Sequence, residues 1–303
     1  MVDVCLPGTG GMLPLPNRWL TCCFVEHQGK AVLIDCGEGT QIALKAARCK
    51  LSRIGILLIT HYHADHIAGL PGLLLTLGNC GKTSPLKIIG PPELHIAISA
   101  LTVITPTLPY PLQLYELEDH GLQNLQIDDV HISCLPLAHS IPCIGYRIAF
   151  RRKPIFSPQK AADLGVPKAL FHTLHSGQPI TLQDGRSILP EMVLDGMRAP
   201  IQLCYCTDTR PMDELTSFAK AVDLLISEGM YGDEEMQSKM AEKGHMLFSD
   251  SAKLARDACA KQLWLTHFSP ALCNPSDFLP IAQSIFPAAA VAYDGIRTTL
   301  GLK

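Results

Sequence analysis

The chain has 303 residues and a formal net charge of −3, and only 17% of it is charged, against about 25% in ordinary domains. Hydrophobic residues make up 47%, enough to bury roughly three quarters of the unfolded surface. These figures exclude a disordered chain, a collagen-like fibre, a small disulfide scaffold and a protein that coats nucleic acid by bulk charge, and they leave room for a local basic patch. Residues 2–6 read as a short strand that ends in the flexible run Pro7-Gly-Thr-Gly-Gly11. Residues 20–26 and 31–34 read as a hairpin closed at Gln28-Gly29. Asp35-Cys-Gly-Glu-Gly39 is a turn, and residues 40–50 read as a helix. The apolar run at 54–60 suits a strand buried on both faces. A strand at 86–89 leads through Gly90-Pro-Pro into a helix from Glu93, and strands at 113–118, 130–137 and 145–150 follow.

Residues 151–203 have a different character, punctuated by Pro154, Pro158, Pro167, Pro179, Pro190 and Pro200. They read as an irregular insert, of the kind that is functional or disordered. Strand and helix then alternate again: a strand at 201–206, a helix from Met212, a strand at 222–226 and a helix after Gly232. A helix at 249–260, a strand at 262–266, a helix from Ser276 and a strand at 289–293 complete the chain. The rhythm predicts a single α/β domain over 1–303, with two sheets face to face, helices outside and 151–203 as an inserted arm.

Cysteine and histidine each number 12. The cysteines stand mostly singly in apolar runs and form no CxxC pair, so they read as buried hydrophobes of a reducing cytosol. The first residues carry no basic segment of a signal peptide, and no apolar run is long enough to span a membrane, so a cytoplasmic location is expected. His27, His95, His120 and His131 fall on turns or element edges and read as surface residues; His172 and His175 read as solvated loop residues of the insert.

The sharpest feature is His61-x-His63-x-Asp65-His66, directly after the buried strand. His61 and His63 point the same way in an extended segment, while Asp65 and His66 lie where the chain turns into a helix expected at 67–77. Such a spacing hands two ligands to one metal and two to its neighbour. It resembles the signature of the metallo-β-lactamase superfamily and, more narrowly, the ribonuclease Z family of tRNA 3′-processing endonucleases. The resemblance extends over nearly the whole chain. It takes in Gly8-Thr-Gly-Gly11 with Pro14 and Arg18, Asp35-Cys-Gly-Glu-Gly-Thr-Gln41 and Ile67-Ala-Gly-Leu-Pro-Gly-Leu-Leu74. It continues through His139-Ser-Ile-Pro-Cys-Ile-Gly-Tyr-Arg147, Thr207-Asp-Thr-Arg-Pro211 and Thr266-His-Phe-Ser-Pro270.

The resemblance implies an αββα sandwich of two mixed sheets and two zinc ions, with manganese or iron as the other metals such donors accept. One metal would take His61, His63, His139 and Asp208; the other would take Asp65, His66, Asp208 and His267. Asp65 would also handle the proton of the attacking water, and His245, oriented by Glu228, would act at the scissile phosphate. The family's habit further implies a homodimer, with precursor tRNA as substrate, gripped by an arm at 151–203, and no membrane. That segment carries seven basic and four acidic residues against a net −6 for the rest of the chain, a positive island on an acidic body. The chain departs from the family pattern at Ala64 for glycine, Met246-Leu247 for Ser-Thr and Lys168-Ala169 for Gly-Pro. The alternative reading is a dinuclear zinc hydrolase of small phosphodiesters or other esters without tRNA binding. A catalytically inert metal-binding protein fits the full ligand set poorly, and a redox di-iron protein is disfavoured by His63, where that branch carries Glu.

Overall fold

The computed structural model describes residues 1–105 and 107–301, and the side chains of all of these except 239 and 241. Its strands in chain order are β1 (Val2–Gly8), β2 (Cys22–His27), β3 (Lys30–Ile34), β4 (Ile54–Leu58), β5 (Leu86–Gly90), β6 (Leu112–Glu116), β7 (Gln123–Ile127) and β8 (Val130–Leu137). They continue with β9 (Cys143–Phe150), β10 (Ile180–Thr181), β11 (Ser187–Ile188), β12 (Ile201–Cys206), β13 (Leu224–Glu228), β14 (Leu263–Thr266), β15 (Ala289–Val291) and β16 (Ile296–Leu300). The helices are α1 (Thr40–Ala46), α2 (Ala64–Ile67), α3 (Leu70–Asn79), α4 (Leu94–Thr102), α5 (Pro158–Asp163) and α6 (Phe171–His175). After the insert come α7 (Asp213–Phe218), α8 (Gln237–Lys243), α9 (Phe248–Asp257) and α10 (Leu279–Ile285).

Two seven-stranded sheets run in the orders β16-β1-β2-β3-β4-β5-β6 and β15-β14-β13-β12-β9-β8-β7. Each is antiparallel over one part and parallel over the other, with β3 to β6 parallel in the first sheet and β12 to β15 in the second. Alternation along the strands decides the layers. Val2, Val4 and Leu6 of β1 join Leu203 and Tyr205 of β12 in the core between the sheets. Cys5 of β1 instead faces the helix side of the first sheet with Leu44, Leu73 and Leu77 of α1 and α3. Cys204 and Cys206 of β12 meet Leu215 of α7 and Ala252 of α9 on the far side. The result is helix, sheet, sheet, helix.

The chain divides into two compact units, Met1–Phe150 with Ile201–Lys303, and Arg151–Pro200. The smaller unit has its own apolar cluster, in which Ala161, Val166, Leu174, Ile180, Ile188 and Val193 are buried. It holds α5, α6 and the β10–β11 hairpin, so the prolines punctuate an ordered fold rather than a featureless loop. Its boundary is Pro200: residues 201–203, expected in the insert, open β12. No helix of the described residues is long and apolar enough to cross a membrane.

Several local expectations need correction. The helix expected at 67–77 is two helices, broken at Ala68-Gly69, where the backbone bonds to the turn after β3 instead: Cys36 N donates to His66 O and Gly69 N to Cys36 O, an approach that leaves no room for a Cβ on Gly69. The helix expected at 40–50 stops at Ala46, and Arg48 turns out with φ 55°. Strands β7 and β16 lie where the sequence pattern predicts none; both carry polar residues at an edge of their sheets. Cys80, Cys259 and Cys273 are exposed, whereas the other nine cysteines are buried, all with free thiols. The half-buried His27 ring lies tilted against Phe150, 5.0 Å between ring centres, and the Nε2 of His131 is buried, so neither is a plain surface residue. His95, His120, His172 and His175 are exposed.

Candidate metal centre

The carboxyl ends of the parallel strands converge on one cleft, the usual place for a site in an open α/β sheet. Beyond β4, His61 and His63 extend from the strand and α2 delivers Asp65 and His66. His139 follows β8, Asp208 follows β12, Glu228 is the last residue of β13, and His267 follows β14. His245 sits between α8 and α9, after the left-handed Gly244 that ends α8. A cavity of about 550 Å³ is lined by His63, Asp65, His139, Asp208, His245 and His267 among others.

Nitrogen meets nitrogen throughout this cluster. His61 Nε2 lies 3.1 Å from His63 Nδ1, which lies 3.3 Å from His139 Nε2. His66 Nε2 and His267 Nε2 are 3.2 Å apart. Asp208 sits between the two groups, 4.0 Å from His61 Nε2 and 3.4 Å from both His66 Nε2 and His267 Nε2. Asp65 Oδ2 lies 3.4 and 3.5 Å from His66 and His267. His61, His63 and His139 form one compact group of potential ligands; Asp65, His66 and His267 form another, and Asp208 shares a group with His61 and His66.

Imidazole nitrogens this close together fit a shared cation better than they fit one another. One buried atom supports that fit, since Asp208 Oδ2, which lies 3.4 Å from His66 Nε2, has no hydrogen-bond partner. The donor set contains no thiolate, which suits zinc, manganese or iron. All seven residues expected to hold metal, and His245 and Glu228 with them, therefore lie in one cluster.

The electrostatics divide the cluster in two. Burial, followed by the neighbouring His66 charge, pushes His61 well below the ordinary imidazole value. Burial also lowers His139. Burial alone would lower His267 too, but Asp208, Asp65 and Glu228 outweigh it and raise the ring to about 10. His66 is likewise raised against its burial, by Asp208 and Asp35. Burial opposes ionisation of Asp65, Asp208 and Glu228, yet hydrogen bonds and charge from the histidines hold all three below the usual carboxylate range.

The supporting residues were the less visible part of the site. Asp35, fully buried after β3, accepts from His66 Nδ1 at 2.8 Å, from the Thr60 amide at 2.8 Å and from the Thr60 hydroxyl. A charge closing a buried apolar strand is the one signal that marks it in the sequence. The Met12 amide donates to Asp65 Oδ2 at 2.7 Å, and Gly244 O lies 3.1 Å from His139 Nδ1. These two are backbone groups and leave no trace in residue identity. Glu228 is fully buried, accepting the Thr209 amide at 2.8 Å and facing His245 Nδ1 at 2.8 Å.

Family comparison agrees with this geometry. Residues 21–123 match the model of the metallo-beta-lactamase superfamily, and residues 158–268 that of the beta-lactamase superfamily domain. A ribonuclease Z from Lachnospira eligens is 43% identical over 295 residues, spanning 97% of this chain and 96% of that protein. Another, from Clostridium acetobutylicum, is 44% identical over 299 residues at the same coverage. The chain belongs to the ribonuclease Z family. Its fold is also that of human tRNase Z, short form, with a TM-score of 0.71 at 24% identity, covering 99% of this chain and 100% of that one. The ribonuclease Z fold thus accounts for the mixed sheets and for the cleft at their carboxyl ends.

Proposed function

We propose that this chain, a member of the ribonuclease Z family, is a metal-dependent endoribonuclease that removes the 3′ trailer from precursor tRNA. The observation that carries the reading is the convergence of seven metal-capable side chains in one cleft, with the His245–Glu228 pair beside them. Two zinc ions are the occupants we infer, one held by His61, His63, His139 and Asp208, the other by Asp65, His66, Asp208 and His267. When bound, such a pair neutralises phosphoryl charge and activates water.

The protein's own groups supply the rest. Asp65 is held ionised and is anchored by the Met12 amide, so it is fixed as an acceptor that orients the attacking water. Glu228 fixes His245 through Nδ1, which leaves Nε2 to donate to the phosphate or to the departing 3′ oxygen. Glu228 is buried and acts by positioning that ring.

Residues 151–200 are read as the arm that grips the tRNA. Within the unit Lys160 pairs with Asp195 and Arg186 with Asp184. Arg151, Arg152, Lys153, Lys168 and Arg198 have no such partner among the described residues and are left for phosphate. A homodimer in the cytoplasm completes the reading, and sedimentation of the purified protein tests the first of these.

The deciding experiment is incubation with a precursor tRNA carrying a 3′ trailer, in zinc or manganese, followed by sizing of the product. Release of the trailer is expected. Hydrolysis of a chromogenic phosphodiester with neither cleavage nor gel-shift binding of precursor would instead favour a small-substrate hydrolase.

A further inference from the structure

A second cavity, of about 600 Å³, opens at the opposite end of the sandwich, where the parallel strands of the first sheet begin. Its rim carries Lys30, Arg53 and Lys87, and each has its own carboxylate. Lys30 pairs with Asp129 at 3.1 Å, Lys87 with Asp128 at 3.0 Å, and Arg53 with Glu26. These charges cancel one for one.

Lys82 is the exception. It lines the same cavity and is only 4% exposed. Its ammonium donates to Ser84 Oγ at 3.1 Å and lies 5.7 Å from the centre of the Tyr110 ring. No carboxylate pairs with it among the described residues. A buried ammonium without a counter-charge is costly, and a cation–π contact offsets only part of that cost. The uncompensated charge in this region is therefore the buried one, on a side chain that lines a space of the size that small ligands occupy. Val32, Ile56 and Phe150 form the apolar part of the same lining.

We propose that this cavity binds a phosphate-bearing small molecule, with Lys82 as the anchor for the phosphate and the apolar wall receiving a flat body such as a nucleoside. Phosphate is the fitting head because it accepts from several ammonium groups at once, and Lys30 and Lys87 are long enough to exchange a rim carboxylate for it. The site is separate from the metal cleft and does not depend on the reaction assigned there.

The test is a titration of the metal-loaded, ¹⁵N-labelled protein with AMP and, in parallel, with inorganic phosphate, followed by amide shifts. Gly29, Gly55 and Ser84 report on this cavity, while Ala64 and Gly244 report on the metal cleft, which binds phosphate in its own right. Saturable shifts at the first set are expected with both probes, extending to Phe150 only with AMP. Lys82→Met is expected to weaken the first set about tenfold or more and to leave the second unchanged. Lys30→Gln, a change at an exposed side chain that the core does not feel, is expected to weaken it about threefold. No saturable shift at Gly29, Gly55 and Ser84 up to about 10 mM, well beyond millimolar affinity, overturns the proposal. So does a folded Lys82→Met protein that binds as before. If that variant does not fold, unchanged binding by Lys30→Gln and by Ser84→Ala overturns it instead.

Discussion

Asp35, Asp208 and His267 share a backbone feature: each lies one or two residues past a strand end with φ near +60°. The left-handed region costs a residue with a Cβ about 1–2 kcal/mol, and aspartate tolerates it better than histidine. The turn is what swings each side chain off its sheet and into the cluster. Asp35→Asn keeps a residue that accepts this conformation and replaces the charged acceptor of His66 by a neutral one. Metal affinity is expected to fall about 10–100-fold, as for other partners behind a metal ligand, measured by competition with a chelator. An unchanged affinity would show that the hydrogen bond alone, without the charge, is enough.

Proton linkage at the same residues has a definite sign. In the metal-free chain His267 is raised from 6.5 to about 10, so it is protonated at neutral pH. Its contribution to stability is complete below about pH 6.5 and is lost as pH rises through about 10. The lowered carboxylates of Asp65, Asp208 and Glu228 contribute above their ordinary range, near pH 4, and lose that contribution as pH falls below it. The metal-free protein is therefore expected to be most stable between about pH 4.5 and 6.5. Metal binding must displace the protons on His267 and His66, so affinity rises with pH through the neutral range. Calorimetry in buffers of different ionisation enthalpy should record proton release at pH 7; binding without release would contradict the charge assignment.

Among the elements, the break between α2 and α3 matters most to the site. A Cβ on Gly69 would come within 1.9 Å of Gly37 O, and a Cβ on Gly37 within 2.0 Å of Asp65 O. The two glycines let the turn after β3 lie directly against the metal-motif helix, which is how Asp35 reaches His66. Gly69→Ala is expected to destabilise the protein by about 1–3 kcal/mol by urea unfolding, and to lower metal content at the same time. Loss of stability with full metal content would separate the packing from the site. This contact also shows what a sequence leaves unsaid. The metal motif is legible because its donors are four residues of two types in a six-residue window, and most strands are legible because their apolar runs are long. The helix break is not, since Gly69 alone does not reveal that Gly37 lies against it. Nor are β7 and β16, where Gln123, Gln126, Arg297 and the Thr298-Thr299 pair dilute the alternation. Asp35 was visible as a turn residue, and its contact with His66 depends on long-range folding.

At the scale of the whole molecule, the smaller unit enters and leaves at a single point. Phe150 at the end of β9 and Ile201 at the start of β12 are register partners in an antiparallel pair. Replacing residues 151–200 by a two-residue Asn-Gly turn should therefore close β9 and β12 as an ordinary hairpin. We expect the shortened protein to fold, retain metal and hydrolyse a chromogenic phosphodiester, while precursor tRNA binding in a gel shift weakens at least about tenfold. Full binding by the shortened protein would move the grip elsewhere on the chain.

The register pairing of Phe150 with Ile201 has a consequence for descent as well as for design. A segment joined to the core across one rung of a ladder can be lengthened, exchanged or lost in a single genetic event, without resetting any strand. The cleft can stay under selection for its chemistry while the segment drifts toward new targets, so closely related chains can diverge in what they cut before they diverge in how they cut it.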